Sequence, residues 1–335
     1  MHNLEKTELQ IGYIPLLDCV AILWAKQRGF FADAGLNVEL LKEPSWASLR
    51  DRLAFGFMDA AHCLSAMLPA AALGTDQLGI PLQTPLVLST NQAYISLSQS
   101  LCFELGIQSE DDAAHIATKL INAHQQRPIQ LAHVFHTSIH HYCLREWLAL
   151  ADPILAKNIQ LSTLPPPYMV EAISQQLIDG FCVGEPWNTQ AELQGYSKIL
   201  LSGQQVIPQV ADKVLAVTAE WAAQHPNTLN AMTSAIQRAQ AELHQLEDVQ
   251  AVWQMLNEAG IIQFPCSAQV HVERYYFIQN IIRSLVDESS AQPQAQDFVW
   301  LTEQMLKWDA LDVPEVESSA VSQRCIYPLP SGHAE

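Results

Sequence analysis

Basic residues are scarce in this chain. Lys and Arg number 17 against 35 Asp and Glu, a formal charge of −18 over 335 residues. A field of that sign repels nucleic-acid phosphates and acidic lipid, so neither direct DNA or RNA binding nor a membrane role is expected. Long apolar runs are also missing: the stretch 64–73 falls short of the ~20 residues needed to cross a bilayer. Residues 1–10 show no basic start, apolar stretch or small-residue cleavage site of a secretory leader, which makes a cytoplasmic location the expectation. Paired cysteine spacings are absent. Cys19, Cys63, Cys102, Cys143, Cys182, Cys266 and Cys325 are scattered and odd in number, as in a reduced compartment, with no metal or disulfide framework. His62, His133, His136 and His225 form no i,i+4 pair with a carboxylate, so no metal is expected. There is no GxSxG elbow, Walker loop, HExxH or nicotinamide fingerprint, which argues against an enzyme and against a cofactor. His140-His141 beside Cys143 offers a nucleophile and a base without an orienting partner.

What is present is a globular pattern, 49% hydrophobic and 16% charged, on a chain long enough for two packed lobes. Periodicity predicts strands at 9–13, 36–41, 59–63 and 86–89. Between them lie a helix at 19–28 capped by Asp18, one at 46–54 capped by Ser45, and one at 67–73 ended by Gly74. A second series follows: helix 111–124, strand 129–135, helix 139–150, strand 159–161, a helix 168–178 opened by Pro165-Pro166-Pro167, strand 180–183 and helix 188–194. From about Val214 long amphipathic helices take over, at 219–224, 226–246, 249–259, 267–282 and 294–308; the tail beyond Pro314 reads as surface loop. The expected fold is α/β with two lobes, each a parallel-rich sheet flanked by helices. Lobe I would hold 1–88 and 214–335, lobe II 92–200, with crossings near 88–94 and 200–214. In open α/β sheets ligands sit at the carboxyl ends of strands, so the cleft between lobes is the expected site.

Several stretches are recognisable. Ile11-Gly-Tyr-Ile-Pro15 with Asp18, Ala25-Lys-Gln-Arg-Gly-Phe-Phe31 and Gly35-Leu-Asn-Val-Glu39 resembles the periplasmic-binding-protein type II fold. Ser45-Trp46 with Arg50-Asp51, Asp59-Ala-Ala-His62 and above all Gly180-Phe-Cys-Val-Gly-Glu-Pro-Trp-Asn188 resemble the NrtA/CmpA family of nitrate and bicarbonate binders over roughly 8–310. Without a leader, the chain is most similar to the NasS-type cytoplasmic nitrate/nitrite sensors within it. That resemblance implies a sensor that holds an RNA-binding antiterminator of NasT type when unliganded and releases it on anion binding, controlling nitrate-assimilation genes. The alternative is the substrate-binding component of a nitrate or bicarbonate ABC transporter. Some members of the wider fold build the thiamine pyrimidine ring, but the local sequence follows the anion binders.

Nitrate is flat, monovalent and weakly basic, so its site needs donors, one cation and a planar wall. The resemblance assigns these to Trp46 as wall or indole donor, Gln92 as amide donor at a crossing, His140 before Leu144-Arg145 and Trp147, and Lys213 as the cation. Lys213 favours nitrate or nitrite over bicarbonate, whose binders are expected to carry an acid there, often with a metal ion. The family's Gly-containing turn and Thr before the histidine are absent here, so His136 or His141 could serve in place of His140. Asn91 is a second amide candidate. Gly184, Glu185, Pro186 and Trp187 are secondary candidates with a mainly architectural reading: Pro186 fixes a turn, Glu185 bridges lobes and Trp187 packs nearby.

Overall fold

The computed structural model describes residues 3–286, 289–309, 311 and 317–328. Its ten strands are β1 (Glu8–Tyr13), β2 (Asn37–Lys42), β3 (Ala60–Leu64), β4 (Leu82–Thr90), β5 (Tyr94–Ser98), β6 (Leu131–His133), β7 (Leu161–Thr163), β8 (Gly180–Val183), β9 (Ser197–Ser202) and β10 (Ala211–Thr218). They form two five-stranded sheets, ordered β2-β1-β3-β10-β4 and β7-β6-β8-β5-β9. Helices flank both sheets, so the α/β two-lobed fold stands as expected.

Each sheet is parallel on one side and antiparallel on the other. In the first, β1 runs parallel to β2 and β3, while β10 enters antiparallel between β3 and β4. In the second, β6 is parallel to β7 and β8, and β5 lies antiparallel to β8 and β9. The antiparallel members are the strands on which the chain leaves and re-enters a lobe. The segments between β4 and β5 and between β9 and β10 therefore link the two sheets.

Local chemistry accounts for most of the early elements. Ser45 Oγ accepts the Ser48 N–H at 3.2 Å, so the helix begins at Trp46 and runs to Ala54. Gly74, at φ 72°, ends the helix Met67–Leu73 in the left-handed conformation that suits glycine.

Four readings need correction. Asp18 caps no helix: it lies in a short 3-10 turn before the helix Val20–Gln27, and its side chain is buried. The stretch around Val214 is a strand, not the start of the helical region. β10 reads as apolar with a buried Asp-Lys pair, a pattern that alternation alone does not flag. β5 and β9 are strands where periodicity predicts none. Finally, the tail is not all loop, since Ser318–Cys325 is helical and Ile326 bridges Thr84. The remainder of that tail lies outside the described residues.

Candidate functional site

Lys213 is the third residue of β10 and has no exposed surface. The pairing of β10 with β4 shifts register on both sides of it, a bulge that turns successive side chains to the same side. Asp212 can thus hold its own neighbour: its Oδ1 accepts Lys213 Nζ at 2.6 Å. Asp18 Oδ2 lies 3.0 Å from the same nitrogen, and Ser89 Oγ donates to that carboxylate at 3.4 Å. A fully buried ammonium between two buried carboxylates is stable as a cluster, because each charge offsets the desolvation of the others. The flanking carboxylates hold Lys213 above its usual range. Burial pushes the Asp212 carboxyl up against the pull of Lys213. Asp18 stays well below the carboxylate range, where Lys213 and His62 outweigh its burial.

Around this pair the first lobe adds two rings. Trp46 is buried at the start of its helix, with Lys213 Nζ 5.8 Å from its ring centroid. His62 on β3 lies 5.6 Å from Trp46, centroid to centroid, with Nε2 2.9 Å from Asp18 Oδ1. That contact has ion-pair spacing but not the alignment of a hydrogen bond, because neither atom counts a hydrogen-bond partner. Burial holds His62 below its usual pKa.

The second lobe contributes His140, the second residue of the helix Ile139–Ala149. Ser138 caps this helix, accepting from His141 N–H at 3.2 Å and donating to the Phe135 carbonyl at 2.6 Å. His140 is completely buried. It is held well below its usual pKa by desolvation first and by the Lys213 charge second, so it is a neutral imidazole beside that charge. Neither of its ring nitrogens has a hydrogen-bond partner, and neither does the Trp46 indole N–H. Buried donors without partners are uncommon and expensive, about 1–3 kcal/mol each. Such orphans near a buried ammonium leave donors that a polar guest could satisfy.

The turn after β8 brings the lobes together. Glu185 takes the Leu17 N–H on its carbonyl at 2.8 Å, and the Trp187 indole donates to the Pro15 carbonyl at 3.1 Å. A Cβ on Gly184 would come within 3.2 Å of the Gln92 carbonyl and 3.8 Å of Asp18 Oδ2, so glycine permits the approach. The Glu185 side chain accepts from Thr189 N–H at 3.0 Å, and burial raises its carboxyl to about 7. Pro186 precedes the helix Trp187–Leu193. These four residues serve as the interlobe seam.

The structure therefore brings Trp46, His140 and Lys213 to one buried cluster. Gln92 is buried at its edge, its backbone bonded to Asp212. Asn91 is committed elsewhere. At φ 43° its amide donates to the Pro208 carbonyl at 2.7 Å and accepts from Val210 N–H at 2.8 Å, pinning one crossing to the other. His136 and His141 gather around Asp309 instead. Asp18, Asp212 and His62 were missed as site residues. A buried Asp next to the one Lys on an apolar strand was a usable signal for Asp212, but nothing in the sequence pairs Asp18 with residue 213. A surface hollow of about 820 Å³ is lined by residues such as Glu8, Gln10 and Glu39 and includes none of this cluster.

Two sheets joined by paired crossings, with a buried charged cluster between them, define the fold of periplasmic binding proteins. The chain belongs to the NMT1-like family, whose model matches residues 2–257. It is 35% identical over 241 residues to the bicarbonate transport ATP-binding protein CmpC of Synechocystis, covering 71% of this chain and 35% of that one. It is 33% identical over 245 residues to the nitrate/nitrite binding protein NrtA of Nostoc, covering 71% and 54%. The chain thus spans roughly a third to a half of the length of these curated relatives. In fold it is similar to the periplasmic nitrate-binding protein NrtA of Synechocystis, with TM-score 0.83 and 24% identity over 97% of this chain and 87% of that one. The alkanesulfonate-binding protein SsuA of Xanthomonas axonopodis is also similar, with TM-score 0.70 and 15% identity over 97% and 99%.

Proposed function

We propose that this protein is a nitrate- or nitrite-binding sensor of the cytoplasm. Unliganded, it holds an RNA-binding antiterminator; the bound anion closes the lobes and sets that partner free. The observation that carries the reading is the set of unpartnered buried groups, His140 of lobe II and the Trp46 indole N–H of lobe I, gathered near the buried Lys213. Lys213 has three N–H donors, two of them engaged by Asp18 and Asp212, which leaves one for an anion. A neutral imidazole and an indole each add one donor. Three donors, one cationic, match the three oxygens of a trigonal anion, and the Trp46 ring supplies its flat wall. The names of the NrtA relatives agree with this ligand.

Release follows from linkage. The anion can expel the partner only if the partner prefers the open or unliganded form. The test is calorimetry with nitrate and nitrite, followed by gel filtration of the chain with an antiterminator of this class, with and without anion. Micromolar binding and an anion-dissolved complex are expected. Absence of binding by either anion would sink the reading.

A second reading, the binding part of an anion importer, draws on the transport proteins among the relatives. It predicts anion binding without any antiterminator complex, together with recovery of the chain in the membrane fraction beside its transporter.

A further inference from the structure

A second polar cluster lies beside the anion site and uses different atoms. His136 Nε2 is 3.3 Å from Asp309 Oδ1, and His141 Nε2 is 3.7 Å from the same oxygen. One ligand atom from each of the three lies within 4.8 Å of the others. The rings of His136 and His141 are 5.1 Å apart.

The hydrogen bonds behind these residues fix where the protons are. His133 Nδ1 is 2.9 Å from the Phe135 carbonyl, which can only accept, so Nδ1 carries the proton and Nε2 is bare. His141 Nδ1 lies 3.2 Å from that bare nitrogen and must be its donor. With its Nδ1 donating there, the His141 imidazole presents Nε2 as its free nitrogen. Its lone pair faces a buried carboxylate oxygen, and neither atom has a hydrogen-bond partner. At 3.7 Å the two are too far apart to share a proton in a normal hydrogen bond. Tyr142 completes the frame by donating to the other carboxylate oxygen, Asp309 Oδ2, at 3.2 Å.

We propose that His136, His141 and Asp309 form a binding site for a divalent first-row transition-metal ion that ties the lobes together. Bonds of about 2.0–2.2 Å at tetrahedral angles set ligand atoms about 3.3–3.6 Å apart, close to the 3.3 and 3.7 Å between Asp309 Oδ1 and the two imidazole nitrogens. The His133 and Tyr142 bonds are the outer contacts that orient such ligands and select the free nitrogen. His136 lies mostly exposed, which gives the ion a route in and a solvent molecule for its fourth position. The ligands come from two lobes. His136 and His141 flank the start of a lobe II helix. Asp309 ends the helix Ala295–Trp308, which packs on the lobe I helix Met67–Leu73. Lys307 and Trp308 already reach Glu146 of lobe II at 2.6 and 2.8 Å, so the ion would secure a seam that exists. It would do so one residue from His140, the lobe II donor of the anion site.

The experiment uses the full chain, stripped with a chelator, then titrated with Zn²⁺ by calorimetry and with Co²⁺ by its visible absorbance. One equivalent per chain is expected, with the intense visible bands of a four-coordinate Co²⁺ site. Zn²⁺ at about a hundredfold excess over Kd should raise Tm by a few degrees. His136→Ala removes a mostly exposed side chain and should fold normally, yet lose about 10- to 100-fold in metal affinity along with the Tm rise. Asp309→Asn should behave likewise. No saturable binding, or binding that His136→Ala leaves unchanged, overturns the proposal.

Discussion

Lys213 governs the site through the charges it holds together. Lys213→Ala would leave Asp18 and Asp212 buried without their cation, a loss of about 3–5 kcal/mol in stability that would mask any effect on binding. His140→Ala and Trp46→Phe are cleaner, because each removes a donor that has no partner within the protein. Each should weaken nitrate binding by roughly ten- to a hundredfold, about 1.5–3 kcal/mol, with the unfolding midpoint little changed. Calorimetry beside a denaturant titration checks both halves of that expectation. Asp212 adds a pH dependence. Its carboxyl is raised by burial, and a bound anion would raise it further, so binding takes up a proton once Asp212 is ionised. Affinity should therefore fall as pH rises through the Asp212 range, by at most about tenfold per pH unit for one proton. Asp212→Asn should flatten that slope, and titrations in buffers of different ionisation heat would reveal the proton directly.

At the scale of single elements, the turn after β8 and the cap before His140 set the geometry. Glu185 titrates against the fold. Its carboxyl is near 4.5 when exposed and about 7 when buried here, so the folded chain binds the proton more tightly. The contribution is present in full below pH 4.5 and is lost as pH rises to 7, amounting to roughly 3 kcal/mol. Glu185→Gln keeps an acceptor for the Thr189 N–H and should remove this slope, leaving the variant more stable than the parent at pH 8; chemical denaturation across pH 4–8 measures it. Ser138→Ala should cost about 1 kcal/mol of stability through the lost cap. Because that cap also anchors the loop to Phe135, the His140 ring loses its seat, and anion affinity should fall more than stability does.

For the whole molecule, the question is what holds the two lobes together around the proposed site. The Trp187 indole to the Pro15 carbonyl is one of the polar bonds that span the seam. Trp187→Phe keeps the packing and removes that bond, worth about 1 kcal/mol. If closure and binding are linked, the loss appears as a several-fold weaker anion affinity and a larger radius by small-angle scattering, with little change in Tm. The crossings themselves are stiffened by Asn91, whose side chain joins the outgoing segment to the returning one. Its left-handed backbone suits Asn, which tolerates that region better than most residues.

The sequence by itself determined the alternation of elements, the helix that starts at Trp46, the glycine stop at residue 74 and the two-lobed class. Each follows from periodicity, caps or turn residues, which act over a few positions. It also marked Trp46, His140 and Lys213 through family motifs. The tertiary structure alone decided which partners those residues meet. Asp18 looked like a helix cap because capping chemistry and ion pairing use the same carboxylate, and Lys213 stands nearly two hundred residues away. Asn91 looked like a ligand donor until the return crossing claimed its amide. His136 and His141 looked like substitutes for His140 until a helix end carried Asp309 to them. Burial, pairing and charge are set between distant segments, and that is information a local pattern does not contain.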